Sequence, residues 1–123
     1  NLFLRTGTSK YLDIAQGVWR WFGQSGMLNR YYLANDGLTA DCENNMQTTW
    51  TYNQGVLIGG LVALSNATRN LTMLEDACRI ADSTLGTLVT DEGILQEEYL
   101  GNRDNVMFKG IFAKHLSALA NAE

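Results

Sequence analysis

Trp50-Thr51-Tyr52-Asn53-Gln54-Gly55 runs directly into Val56-Leu57-Ile58-Gly59-Gly60-Leu61-Val62-Ala63-Leu64, and this stretch decides the fold. From residue 53 to 67 apolar or small side chains occupy nearly every side of a helix and no charge interrupts them, the pattern of a helix buried all round. Residues 106–120 repeat that character with little charge. Gly59-Gly60 costs helix propensity of about 1 kcal/mol per Gly relative to Ala. Close approach of a neighbouring backbone would offset that loss, so both segments read as inner helices.

Two other segments are one-faced. In 9–23, Tyr11, Leu12, Ala15, Val18, Trp19 and Phe22 recur at helical spacing and leave Asp13, Gln16 and Arg20 on the other side. In 72–89, Leu74, Ala77, Cys78, Ala81, Leu85 and Leu88 do the same, with Glu75, Asp76, Arg79 and Asp82 outward. Both read as outer helices. Their starts belong to an internal repeat in which Met73 stands 62 positions after Tyr11. Thr72 and Glu75 have the spacing of a capping box, and Ser9 with Asp13 is a looser version.

The order outer, inner, outer, inner, with polar connections, predicts an all-α fold of helical hairpins set around an axis, part of an α/α toroid. The connections at 24–49 and roughly 90–104 both lead from an outer helix into an inner one, so they emerge at one end, together with Trp50 to Gln54. Loops this long in a compact domain are usually functional or disordered. Proline is absent, and turns fall to Ser25-Gly26, Asn35-Asp36-Gly37, Asp91-Glu92-Gly93 and Gly101-Asn102. No run alternates with period two, although Tyr31-Tyr32-Leu33 or Ile94-Leu95 could form a short strand.

The 123 residues make one region, 1–123, short of the roughly 250 that a closed α/α toroid needs, so the chain reads as part of a larger domain. Asn1-Leu2-Phe3-Leu4 is an uncapped apolar patch, read as the inside of a helix with earlier turns upstream. A net charge of −4 gives no footprint for nucleic acid or an anionic membrane and favours a neutral ligand. No stretch approaches the roughly 20 apolar residues of a membrane span, and no signal pattern opens the chain. Cys42 and Cys78 lack zinc-site spacing and are expected as buried thiols. Asn66-Ala67-Thr68 and Asn70-Leu71-Thr72 are glycosylation sequons in one polar stretch expected to be a surface turn, which makes Asn66 and Asn70 candidate glycan acceptors.

The rings of Trp50 and Tyr52 can stack on the C–H face of a pyranose, and the amides of Asn53 and Gln54 offer donors and acceptors to its hydroxyls. An equally open reading has the aromatics anchoring the loop and Asn53 capping the helix. Asp104 precedes the last helix and either caps it or meets a sugar hydroxyl. Lys109, a cation in the first turn of that helix, calls for a carboxylate partner unless it reaches solvent. His115 has no Ser or Cys partner in a recognisable motif and reads as structural.

Trp50 to Val56, preceded by Asn35-Asp36-Gly37-Leu38 and by Cys42, Asn44 and Asn45, resembles glycoside hydrolase family 76, which comprises endo-acting alpha-1,6-mannanases and fungal cell-wall mannosidase/transglycosidase relatives. Trp21-Phe22-x-x-Ser25-Gly26-Met27-Leu28-Asn29, Asp91-x-Gly93-Ile94-Leu95 and Phe108-Lys109-Gly110-Ile111-Phe112 follow in the family order, so the resemblance covers nearly the whole chain. Fungal members often carry extra cysteines after the Gly-Ile-Leu segment. Here that segment continues Gln96 to Asn102, and no disulfide from Cys42 can reach into it.

The resemblance implies an (α/α)6 toroid, of which this chain would be the C-terminal part, and a mannose-containing polysaccharide as ligand. It also implies a secreted or wall-associated protein, with the rest of the catalytic domain as structural partner. Glycoside hydrolysis ordinarily uses two carboxyl groups, and the family places adjacent aspartates on an inner helix. This chain has no Asp-Asp pair; Asp91-Glu92 and Glu97-Glu98 lie in a loop, so no catalytic residue is assigned here and the pair is expected upstream. No cofactor is called for by these residues. The alternative is a non-catalytic helical-hairpin module binding glycan or protein, against which stands the length of the repeat, since solenoid repeats run about 20–50 residues.

Overall fold

The structure, a computed structural model, describes residues 2–97, 101 and 103–122. Glu98 of the Glu97-Glu98 pair and Asn102 of the Gly101-Asn102 turn lie outside the described residues, as does Asn1 of the opening apolar patch. Helices α1 (Leu2–Thr6), α2 (Ser9–Gln24), α3 (Thr51–Thr68), α4 (Thr72–Thr87) and α5 (Asn105–Ala120) follow one another, and no strand forms among the described residues. The all-α expectation holds.

Helix α3 is the axis of the packing, with α5 and α4 against it and α2 touching it lightly. Three contacts show that α3 and α5 run parallel: Tyr52 meets Phe108, Gly55 faces Phe112 and Gly59 faces His115, in the same order along both chains. A Cβ on Gly55 would lie 2.6 Å from the Phe112 Cα, and one on Gly59 would lie 2.1 Å from His115 Nδ1. Two glycines one turn apart thus allow α5 to approach, which is the physical use anticipated for Gly59. Gly60 has nothing within 4 Å of such a Cβ, so close packing does not explain it. The core joins Ile58 and Leu61 of α3, Ala77, Ile80 and Ala81 of α4, and Phe112 of α5, with Trp19 of α2 packed against it.

Burial corrects the inner and outer assignment. Helix α3 is inner, with eight residues buried, but α5 buries only Asn105 and Phe112, whereas α4 buries Ala77, Ile80, Ala81 and Thr84. Val106 and Met107 of α5 are more than 60 % exposed because α5 is covered on the side of α3 and α4 only. The buried stripe of α4 is also turned from the expected one: Thr84 is inside, while Cys78 and Leu85 are exposed. Cys42 is exposed as well, on a loop, so neither thiol is buried.

The capping box at Thr72 does not form. The Thr72 N–H and hydroxyl both donate to Asn70 Oδ1, at 3.1 and 2.8 Å, so Asn70 shapes the turn into α4 and Glu75 stays exposed. The α3–α4 connection is only 69–71, which places Asn66 inside the last turns of α3 rather than in a surface turn; both sequon asparagines are exposed.

Instead of strands, the long connections carry three small hairpins closed by single bridges, Leu28 with Ala34, Leu38 with Asn44 and Val89 with Leu95. Each has a β-turn that ends in a left-handed residue, Tyr32, Cys42 or Gly93, whose N–H bonds back to the carbonyl of Asn29, Thr39 or Thr90. In each, that first turn residue also accepts, through its side chain, the N–H four positions on: Leu33, Glu43 and Ile94. The internal repeat is therefore helix, hairpin, helix, and the first copy holds one hairpin more.

Candidate functional site

Because α3 and α5 are parallel, their N-termini meet at the end from which both long connections emerge. Trp50 precedes α3 and Tyr52 lies in its first turn; both rings pack on Phe108 of α5, Trp50 edge-on at 5.5 Å and Tyr52 tilted at 4.4 Å. The three aromatics form one half-buried cluster. Burial pushes the Tyr52 phenol above its ordinary value, and the Asp36 carboxylate adds to the shift. Asp104 holds the N-cap position of α5, one turn before Phe108.

The amides separate into two roles. Gln54 is fully buried: its Oε1 accepts the Ala34 N–H at 2.8 Å, and its Nε2 donates to the Ala34 carbonyl at 2.8 Å and the Trp50 carbonyl at 3.1 Å. That pairing is what a neighbouring strand would give Ala34, and it anchors the first hairpin to α3. Asn53 is half-buried, inside the first turn rather than at the cap, and its Nδ2 has no hydrogen-bond partner among the described residues. An amide donor withdrawn from water without a partner costs about 1–3 kcal/mol, which an incoming acceptor would recover.

Beneath the aromatics, Glu97 does what no local residue does for α3. Its Oε2 accepts the Thr51 N–H at 3.0 Å and its Oε1 accepts the Thr51 hydroxyl, both groups being buried. A carboxylate at a helix N-terminus satisfies an orphan donor and faces the positive end of the dipole. Glu97 thereby ties the second long connection to the start of α3. A sequence signal existed: Trp50 sits at the N-cap position with no capping oxygen, so the first-turn donors of α3 needed an acceptor from elsewhere.

Asparagines hold the first connection. Asn35 Oδ1 accepts from Nδ2 of both Asn29 and Asn44, at 3.1 and 3.0 Å, and Asn35 Nδ2 donates to the Gln47 carbonyl at 2.5 Å. Asn44 Nδ2 also reaches the Gly26 carbonyl at 2.7 Å. The groove at this end, about 520 Å3, is lined by Thr49, Thr87, Leu88, Gln96 and Glu97 rather than by the Trp50 and Tyr52 rings. Lys109 is half-buried and makes no ion pair among the described residues. His115 packs on Gly59, far along α5 from the aromatics. No group of His, Cys, Asp and Glu among the described residues could hold a metal ion, and no described helix is long and apolar enough to cross a membrane.

Known proteins are similar to this chain in sequence. The chain is 29% identical over 122 residues to mannan endo-1,6-alpha-mannosidase DCW1 of Candida albicans, covering 90% of this chain and 27% of that protein. It is 31% identical over 120 residues to mannan endo-1,6-alpha-mannosidase DFG5 of Saccharomyces cerevisiae, covering 90% and 26%, and 27% identical over 124 residues to the DCW1 protein of Eremothecium gossypii, covering 94% and 28%. The chain thus spans about a quarter of the length of these curated relatives. The profile of glycosyl hydrolase family 76 matches residues 1–122, and the chain belongs to that family.

Proposed function

We propose that this chain is part of a glycoside hydrolase or transglycosidase domain acting on alpha-1,6-mannan, with Trp50, Tyr52, Asn53 and Asp104 on the wall of a mannose subsite and Gln54 holding that wall in place. The observation that carries the reading is the aromatic cluster at the shared N-terminal end of α3 and α5, with the unpartnered Asn53 amide beside it. Aromatic faces bind the apolar side of a sugar, and a buried donor lacking a partner fits a ring hydroxyl. The names of the relatives supply the linkage.

The catalytic aspartate pair lies outside this chain in this reading, since no Asp-Asp pair occurs in it. The chain forms the C-terminal part of a larger (α/α)6 domain whose remainder covers the apolar surface of Val56, Val106 and Met107. Exposed sequon residues Asn66 and Asn70 accord with a secreted or wall-associated protein.

The test is binding of a linear alpha-1,6-linked mannose hexasaccharide by calorimetry. Trp50→Ala is expected to weaken it about five-fold, the loss of one stacking contact. Unchanged affinity with a sharply lower melting temperature would assign Trp50 to the core alone and remove the site.

A further inference from the structure

We propose a second glycan subsite, remote in sequence from the Trp50 cluster, on the first hairpin at Tyr31 and Tyr32. A groove of about 500 Å3 is lined there by Arg30, Tyr31, Tyr32, Leu33, Ser83 and Thr87. Thr87 also lines the groove that contains Thr49 and Glu97, so a path leads from the Trp50 end across the C-terminus of α4 to this hairpin. The inference rests on the reading above and extends the same polysaccharide along the surface.

Tyr31 is 59% and Tyr32 39% exposed, two adjacent aromatics in water. Each is held from one side by a cation: the Arg30 guanidinium lies 4.8 Å from the Tyr31 ring centre and donates to its hydroxyl at 2.6 Å, and that of Arg79 lies 5.7 Å from the Tyr32 ring centre. Ser83 of α4 donates its hydroxyl to the Tyr31 carbonyl, tying the hairpin to the helix. The platform is thus ordered before any ligand arrives, which lowers the entropy cost of binding.

The backbone adds a separate argument. Tyr32 has φ 59 at the position that holds Gly93 in the third hairpin, so a bulky ring stands where glycine would be unstrained. Retaining the ring there costs stability and presents an aromatic face at the groove. Tyrosine faces, guanidinium donors and hydroxyls around an open groove match a neutral sugar chain, as at the Trp50 end.

Tyr32→Gly removes the ring while suiting the left-handed turn, so the variant keeps its fold. Calorimetry with the alpha-1,6-linked hexasaccharide and the corresponding disaccharide is run on the unsubstituted chain, Tyr32→Gly, Tyr31→Ala and Trp50→Ala. Expected are a melting temperature for Tyr32→Gly no lower than the parent's, hexasaccharide affinity down about five-fold in either tyrosine variant, and disaccharide affinity changed less than about two-fold. If the hexasaccharide binds and responds to Trp50→Ala but to neither tyrosine variant, the second subsite is wrong and the function stands. If the hexasaccharide does not bind the unsubstituted chain, both are overturned.

Discussion

Gly55 and Gly60 lie in the same helix and should respond to alanine with opposite signs. At Gly55 the new Cβ would meet Phe112 Cα at 2.6 Å, Phe112 N at 3.0 Å and the Ile111 carbonyl carbon at 3.2 Å, all backbone atoms that no rotamer change can move. Restoring ordinary contact requires α3 and α5 to separate by roughly 1 Å, which loosens Phe112 and the Ile58–Leu61 core around it. Overpacking of this kind costs about 1–3 kcal/mol and the better helix propensity of Ala returns about 1 kcal/mol, so the upper part of that range leaves Gly55→Ala about 1–2 kcal/mol less stable. At Gly60 nothing lies within 4 Å, so Gly60→Ala gains about 0.5–1 kcal/mol from propensity alone. Urea unfolding followed by far-UV circular dichroism should separate the two variants by about 1.5–3 kcal/mol. A midpoint for Gly55→Ala equal to or above that of Gly60→Ala would refute the close parallel packing of α3 on α5.

Glu97→Ala leaves the Thr51 N–H and hydroxyl without their acceptor and should destabilise by about 1–3 kcal/mol, with Trp50 fluorescence shifting to the red as the start of α3 loosens. Glu97→Gln keeps one oxygen acceptor and should recover part of that loss; full stability in Glu97→Ala would mean that the carboxylate is not the cap. Burial first, and then the Lys114 charge, hold His115 below the ordinary imidazole value of 6.5. Above pH 6.5 the ring is neutral in both folded and unfolded chains, and below it the unfolded chain takes up the proton more readily, so stability falls as pH drops through the window beneath 6.5. Unfolding midpoints between pH 7 and 5 should show that fall, and His115→Gln should flatten it.

Helix α3 was legible because Val56 to Leu64 is apolar on every side: whichever way such a helix turns, it meets the core. The shared end of the two long connections followed from hairpin topology, and the aromatic cluster from the crowding of Trp50 and Tyr52 at that end. Helix α5 has nearly the same composition, yet most of its surface is open, because hydrophobicity sets how well a face tolerates burial while its neighbours determine whether burial happens. The α4 stripe was misplaced for a related reason: Cys78 and Thr84 are both small and weakly polar, and only contact with α3 chose Thr84. The turn at Asp91-Glu92-Gly93 was legible through its glycine, but the first two hairpin turns were not, because Tyr32 and Cys42 occupy left-handed positions that glycine ordinarily signals. Trp50 at the start of α3 signalled that an acceptor was needed, but which residues Gln54 and Glu97 would bond was decided by tertiary structure. Ala34 is 20 residues from Gln54 and Thr51 is 46 from Glu97, so the groups that saturate one another's hydrogen bonds share no local pattern and meet only when the helices fold against each other.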